Sequence, residues 1–201
     1  MRNLLSVTLA SASPRRFELL TSLGLDVRVV PSEIVEGDRP GFGPRELAAL
    51  HAGAKADTVA EREAGGLIVA ADTVVDLDGK SLGKPVGTRQ ARAMLGALAG
   101  RQHLVHTAYA LREAAHSIAV DVTLTTRVRF AALAAADIAG YVATGEPFDK
   151  AGAYGIQGRG AALVTEIEGD FYTVMGFPLG DFVRRLPELG YMLPARATRR
   201  G

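Results

Sequence analysis

A chain of 201 residues with 48% hydrophobic side chains is long enough to enclose a sizeable core as one domain or one two-lobed domain, and its formal net charge of +1 indicates neither a surface that coats nucleic acid nor an acidic tail, so any positive field must be local. Zero cysteines exclude disulfides and thiolate metal sites, which suits a reducing cytoplasm. The opening Met1-Arg2-Asn3-Leu4 is too polar for a signal-peptide core, and no apolar run reaches the length of a membrane span.

The first predicted elements are a short strand through Leu4, Val7 and Leu9 and a helix from about Pro14 to Leu23, ended by Gly24. Their junction, Leu9-Ala10-Ser11-Ala12-Ser13-Pro14-Arg15-Arg16, gathers hydroxyls and guanidiniums around the first helical turn. Ser13 suits the N-cap, and Pro14 suits the first helical position because its missing N–H costs nothing there. Free backbone N–H groups, the Ser11 and Ser13 hydroxyls and the planar forks of Arg15 and Arg16 match a polyphosphate. On this segment alone, an ordinary capped helix with two surface arginines reads equally well.

A second strand follows at Val27, Val29 and Val30, and the stretch from Pro31 to Pro44 is a loop. A helix from about Pro44 to Glu63 places Leu47, Leu50, Ala54 and Val59 on one face. Leu67 to Ala71 is a continuous apolar run, as expected of a strand buried on both faces, and is predicted to end at Asp72-Thr73. Asp78-Gly79 suits a tight hairpin turn, and Thr88 is predicted to cap a helix carrying Ala91, Met94, Leu95 and Leu98 at helical spacing, stopped by Gly100. Strict alternation from Leu104 to Leu111 and from Ile118 to Phe130 predicts a long antiparallel hairpin with one better buried face.

A helix near Ala134 to Thr144, a glycine-rich segment from Phe148 to Gly160, a strand from Ala161 to Ile167 and a closing helix from about Pro178 to Leu189 complete the order. Residues 1–194 form the domain, and Ala195 to Gly201 read as a basic tail. Buried parallel-type runs together with a long hairpin imply an α/β fold with a central mixed sheet flanked by helices.

Several familiar signatures are absent. No G-x-x-x-x-G-K-[ST] occurs, and Gly155-Ile156-Gln157-Gly158-Arg159-Gly160 has the wrong context for a dinucleotide fingerprint. His51, His103, His106 and His116 lack zinc spacing and read as surface or structural residues. No G-x-S-x-G elbow exists for serine hydrolysis. What remains is Asp72 at the expected carboxyl end of the most apolar strand, where α/β sheets place ligands, with Glu33 and Glu36 in a loop able to approach it. An acid there suits a metal ligand or general base, and also an ordinary turn. Lys55 and Lys84, taken singly, suit solvent as well as a site.

Taken together, these segments resemble the Maf-type nucleoside triphosphate pyrophosphatases, a family once described as septum formation inhibitors. The blocks that carry the resemblance are Ala10 to Arg16, Ala71-Asp72-Thr73-Val74-Val75, Leu82-Gly83-Lys84-Pro85, Asp149 to Gly158, and Ile167 to Tyr172 leading to Gly176-Phe177-Pro178-Leu179. The resemblance implies a Maf/ITPase-like two-lobed fold and hydrolysis between the α and β phosphates, with Mg²⁺ or Mn²⁺ as cofactor. It assigns Asp72 as proton acceptor, and Arg15, Thr73 and Gln157 as positions that matter for substrate choice. It also aligns Ser11, Arg16, Glu36, Lys55 and Lys84 with polar active-site positions, and the metal would fall to Asp72 and Glu36. The Ala-Tyr-Gly-Ile-Gln-Gly form resembles the branch acting on dTTP and UTP, rather than the sister branch that prefers 7-methyl-GTP. Family members are often homodimers.

Departures from the family pattern are few. Ile34 and Val35 stand before Glu36 where another acid is common, so Glu33 is a second candidate carboxylate, and Phe177 replaces a smaller aliphatic residue. The Gln157 amide, with one donor and one acceptor side, can pair with the N3–H and O4 shared by uracil and thymine. Cytosine presents the opposite pattern. A nucleotide-binding regulator of cell division without turnover stays open beside the enzyme.

Overall fold

The computed structural model describes residues 1–63 and 65–194, so the expected tail lies outside the described residues. In chain order the strands and α-helices are β1 (Arg2–Asn3), β2 (Ser6–Leu9), α1 (Pro14–Ser22), β3 (Asp26–Val29), α2 (Pro44–Ala60), β4 (Leu67–Leu77) and β5 (Lys80–Leu82). Then come α3 (Thr88–Leu98), β6 (Gln102–Glu113), β7 (Ile118–Phe130), α4 (Ala135–Ala143), β8 (Val164–Glu168), α5 (Phe171–Met175), α6 (Leu179–Arg185) and β9 (Tyr191–Met192). Seven strands form one sheet in the order β3-β2-β4-β6-β7-β8, with β5 paired to β4. The short strands β1 and β9 pair separately.

The sheet is mixed, as the patterning implied. β2 runs parallel to β3 and β4, and α1 and α2 supply the crossovers that parallel strands require. Every later pairing is antiparallel. Asp78 and Gly79 both adopt positive φ, 55° and 79°, which is the turn geometry that an Asp-Gly step favours between β4 and β5.

The expected end of β4 at Asp72-Thr73 is wrong. The strand continues to Leu77 because β6 pairs with it from Ile68↔Arg112 to Asp76↔Leu104. The parallel part does stop early, since the last β2 partner is Leu9↔Val69. Asp72 therefore lies mid-strand, yet just past the carboxyl end of its parallel neighbour.

Other boundaries shift for local reasons. Gly87, not Thr88, occupies the N-cap of α3, and β8 starts at Val164 because residues 158–163 form a 3-10 turn. The closing helix is split: α6 ends at Arg185 and a 3-10 turn covers Leu186–Leu189, where Pro187 cannot continue the α-helical bonding. α5 is an additional helix, capped by the Asp170 carboxylate, which accepts from Thr173 N–H at 2.6 Å. The hairpin of β6 and β7 forms as expected, but β6 is buried on both faces. It is an interior strand.

Three apolar clusters pack on this frame. Ile68, Ala70 and Val74 of β4 meet Ala48, Ala52 and Ala56 of α2, with Ala108 and Ala110 of β6 alongside. Alanine on both sides brings the helix close to the sheet. On the opposite face, Val69, Ala71 and Tyr109 join a cluster with Phe177 and Phe182. Val75, Val105, Val128 and Phe130 join a third with α3, α4 and Tyr154.

Candidate active site

A cleft of about 1000 Å³ opens where β2 ends beside β4. Period-2 alternation puts Asp72 on the α2 face of β4 with Ile68, Ala70 and Val74, and Thr73 on the α1 face. Both reach the cleft because β2 has already stopped at Leu9.

On the α2 face, Lys55 Nζ lies 2.7 Å from Asp72 Oδ1 and 2.6 Å from Glu36 Oε1. Lys55 is 5% exposed and Asp72 also 5%. His51, one turn before Lys55, approaches Asp72 Oδ2 through Nδ1 at 3.4 Å, and its Nε2 lies 3.1 Å from the Gly37 carbonyl. The stripe of α2 that faces inward is Leu47, Ala48, His51, Ala52, Lys55, Ala56 and Val59. Leu50 and Ala54, expected on that face, lie outside it.

The Asp72 carboxyl is held below its ordinary range. Burial pushes it up, but the His51 hydrogen bond and the charges of Lys55 and Arg16 outweigh burial. His51 is raised in turn, chiefly by its bond to Asp72. Asp72 is an anion clamped between cations.

On the α1 face, Arg16 ties three elements together. Its Nε donates to the Gly176 carbonyl at 2.9 Å, one terminal nitrogen to Ser11 Oγ at 3.0 Å and the other to Thr73 Oγ1 at 3.2 Å. Thr73 Oγ1 is 2.9 Å from Thr107 Oγ1, which donates to the Thr173 carbonyl at 2.7 Å. Ser13 holds the N-cap position of α1 and makes no capping bond, so its hydroxyl stays on the cleft wall.

The remaining expected residues occupy the cleft rim. Arg15 pairs with Asp149 at 2.8 Å. Lys84 is exposed on the wall beside Gly83, whose carbonyl accepts from Gly152 N–H at 3.1 Å. Gln157 is exposed at the far side of the same cleft. Glu33 does not join them: it is exposed and turned to Arg62 at 3.7 Å, so it is not the second carboxylate. His51, expected as a surface or structural residue, is buried in the cleft wall beside Asp72. Its i, i+4 relation to Lys55 put both on one helix face and was the available signal.

Among the described residues no three His, Cys, Asp or Glu side chains converge as a self-sufficient metal cage. Asp72 and Glu36 nevertheless offer hard oxygen donors that converge on one ammonium at the cleft floor. That donor set fits Mg²⁺ or Mn²⁺, which commonly take one or two carboxylates and complete their shell with water and substrate phosphates.

Cations set around a helix start and a fixed carboxylate, at the point where a parallel pair gives way to an antiparallel sheet, define an α/β protein built to handle phosphorylated small molecules. The chain belongs to the Maf-like protein family, which matches residues 6–189. A dTTP/UTP pyrophosphatase of Symbiobacterium thermophilum is 47% identical over 184 residues, covering 91% of this chain and 93% of the relative. Another, of Anaeromyxobacter dehalogenans, is 45% identical over 190 residues, 94% of this chain and 96% of the relative. Among solved structures, a HAM1 protein from Coxiella burnetii matches at 17% identity with a TM-score of 0.41, over 63% of this chain and 73% of that chain.

Proposed function

We infer that this chain is a dTTP/UTP pyrophosphatase, which hydrolyses the α–β phosphoanhydride to the nucleoside monophosphate and pyrophosphate. The observation that carries this reading is the buried Asp72 anion facing the cleft, in a chain whose relatives at this identity span nearly its full length.

Each residue has a role in the reaction. Arg16, Lys55 and Lys84, with the first turn of α1, neutralise a triphosphate and draw electron density from the departing pyrophosphate. Arg15 exchanges its Asp149 partner for phosphate oxygen, and Ser11 and Thr73 hold Arg16 in register. Asp72 accepts the proton of the attacking water as the bond from the α phosphorus to the bridging oxygen breaks. Asp72 and Glu36 would hold a divalent cation, which when bound makes its water a stronger nucleophile and offsets phosphate charge. Gln157 reads the base through the N3–H and O4 edge. A homodimer is the assembly we propose, since β7 keeps one face only partly covered; light scattering tests it through a mass twice that of the 21.1 kDa chain.

The decisive experiment is a pyrophosphate-release assay with dTTP, UTP, CTP and 7-methyl-GTP in Mg²⁺ or Mn²⁺. Release from dTTP and UTP is expected, falling about a hundredfold or more in Asp72→Asn and abolished reversibly by chelation. Release from 7-methyl-GTP alone would move the chain to the sister branch. No release from any nucleotide would support a regulator without turnover.

A further inference from the structure

The cleft wall that carries Gln157 is irregular from Tyr154 to Gln157 and then forms the 3-10 turn of residues 158–163. A single carboxylate holds it in shape. Glu146 Oε1 accepts from Gly160 N–H at 3.1 Å and from the Tyr141 hydroxyl at 3.0 Å, while Oε2 accepts from Arg159 N–H at 3.0 Å. The Tyr141 oxygen in turn accepts from Gly155 N–H at 3.1 Å. Backbone donors on both sides of Gln157 thus end on one Glu146–Tyr141 pair.

The glycines of this segment make the wrapping sterically feasible. A Cβ on Gly160 would stand 2.3 Å from the Gly155 carbonyl oxygen and 2.7 Å from the Tyr141 hydroxyl. On Gly158, whose φ is +65°, it would stand 2.9 Å from Glu146 Oε2, and on Gly155 it would stand 2.9 Å from Lys150 Cε and 3.3 Å from Glu146 Oε1. Gly158 makes room for the carboxylate itself, Gly155 chiefly for Lys150, and Gly160 for the return of the chain against Gly155 and Tyr141. Gln157 is exposed on the cleft side of this wall, so the place from which it reaches a base is set by the backbone that carries it.

We propose that Glu146 is a positioning residue for base selection: by fixing the chain at Arg159 and Gly160, and through Tyr141 at Gly155, it sets the place from which Gln157 meets the pyrimidine edge. This rests on the dTTP/UTP reading above. Position matters because the amide must reach N3–H and O4 together to favour uracil and thymine over cytosine, whose edge has the opposite pattern. A wall free to shift would loosen that fit and weaken the preference.

The test is a double-mutant cycle read as the ratio of kcat/KM for dTTP to that for CTP. Glu146→Gln sets an NH₂ group against the loop N–H donors, and the ratio is expected to fall about tenfold, mainly through the KM for dTTP. In a Gln157→Ala background the same substitution is expected to change the ratio by less than about twofold, since the group it positions is already gone. Should Glu146→Gln fail to fold by circular dichroism, Tyr141→Phe, which leaves the carboxylate and removes one link, is expected to lower the ratio about threefold. Turnover of dTTP and CTP falling in equal proportion, with the ratio kept, would show a purely structural role and overturn the inference. A wild-type protein that releases no pyrophosphate from either dTTP or UTP would overturn the reading beneath it instead.

Discussion

Asp72 and Arg16 show how single side chains carry the chemistry and the architecture together. Arg16 needs its planar fork, because three acceptors from Ser11, Thr73 and Gly176 lie at different angles around it. Arg16→Lys keeps the charge and loses the fork, so the KM for dTTP is expected to rise about tenfold in steady-state assays, with the thermal midpoint lowered. For Gln157→Ala, kcat/KM for dTTP and UTP should fall and the preference over CTP should shrink by about 1 to 3 kcal/mol, measured as a ratio of specificity constants. Unchanged preference would remove Gln157 from base reading. His103 makes a prediction about pH. It is 3% exposed, its Nε2 lies 2.8 Å from the Tyr154 hydroxyl, and burial pushes its imidazole down to about 4 from an ordinary 6.5. The unfolded chain therefore takes up this proton first. Its contribution to stability is complete above pH 6.5 and is lost as pH falls towards 4, a change of about 3 kcal/mol. Urea melts across that range should show the decline, and His103→Gln should remove about that share of it.

Among the secondary elements, α2 and β4 decide where the site lies. Their contact is alanine on alanine, with Ala52 1% exposed against a sheet face that includes Ala70, Ala108 and Ala110. A larger side chain there must lift the helix that carries His51 and Lys55 towards Asp72. Ala52→Leu is expected to cost about 1 to 3 kcal/mol in chemical unfolding and to lower kcat as well. The apolar run of β4 was legible, but its length was not. Asp72, Thr73 and Asp76 look like strand-ending residues in isolation, and only pairing with β6 keeps them in the sheet. The α2 stripe was misassigned for a related reason. His51 and Lys55 are polar, and apolar counting moved the face towards Leu50 and Ala54 although Leu47, His51 and Lys55 follow one another at helical spacing.

Across the fold, β4 and β6 run through all three apolar clusters, so neither the α2 layer nor the region around α3 and α4 has a separate frame. We propose that residues 1–194 unfold as one unit. Tyrosine fluorescence and far-ultraviolet circular dichroism should give coincident urea transitions, and two separated midpoints would reveal independent lobes. No helix among the described residues is long and apolar enough to cross a membrane. The β1–β9 pair, Arg2 with Tyr191 and Asn3 with Met192, brings the beginning of the chain to the last strand described. Strands of two residues carry no periodicity, so nothing local announced this pairing.

Much of the organisation was written locally. The Ser13-Pro14 helix start, the Asp78-Gly79 turn and the alternation of β6 and β7 follow from side-chain chemistry and short-range spacing, and these sufficed for the mixed α/β class, while the cleft residues were legible through the family resemblance of the site blocks. Long-range pairing decided the rest. It carried β4 past Asp72, turned Glu33 away to Arg62, brought His51 to Asp72 and closed Glu36 and Asp72 on one lysine. Which charges meet depends on how strands and helices far apart in sequence stack, and no window of neighbouring residues contains that information.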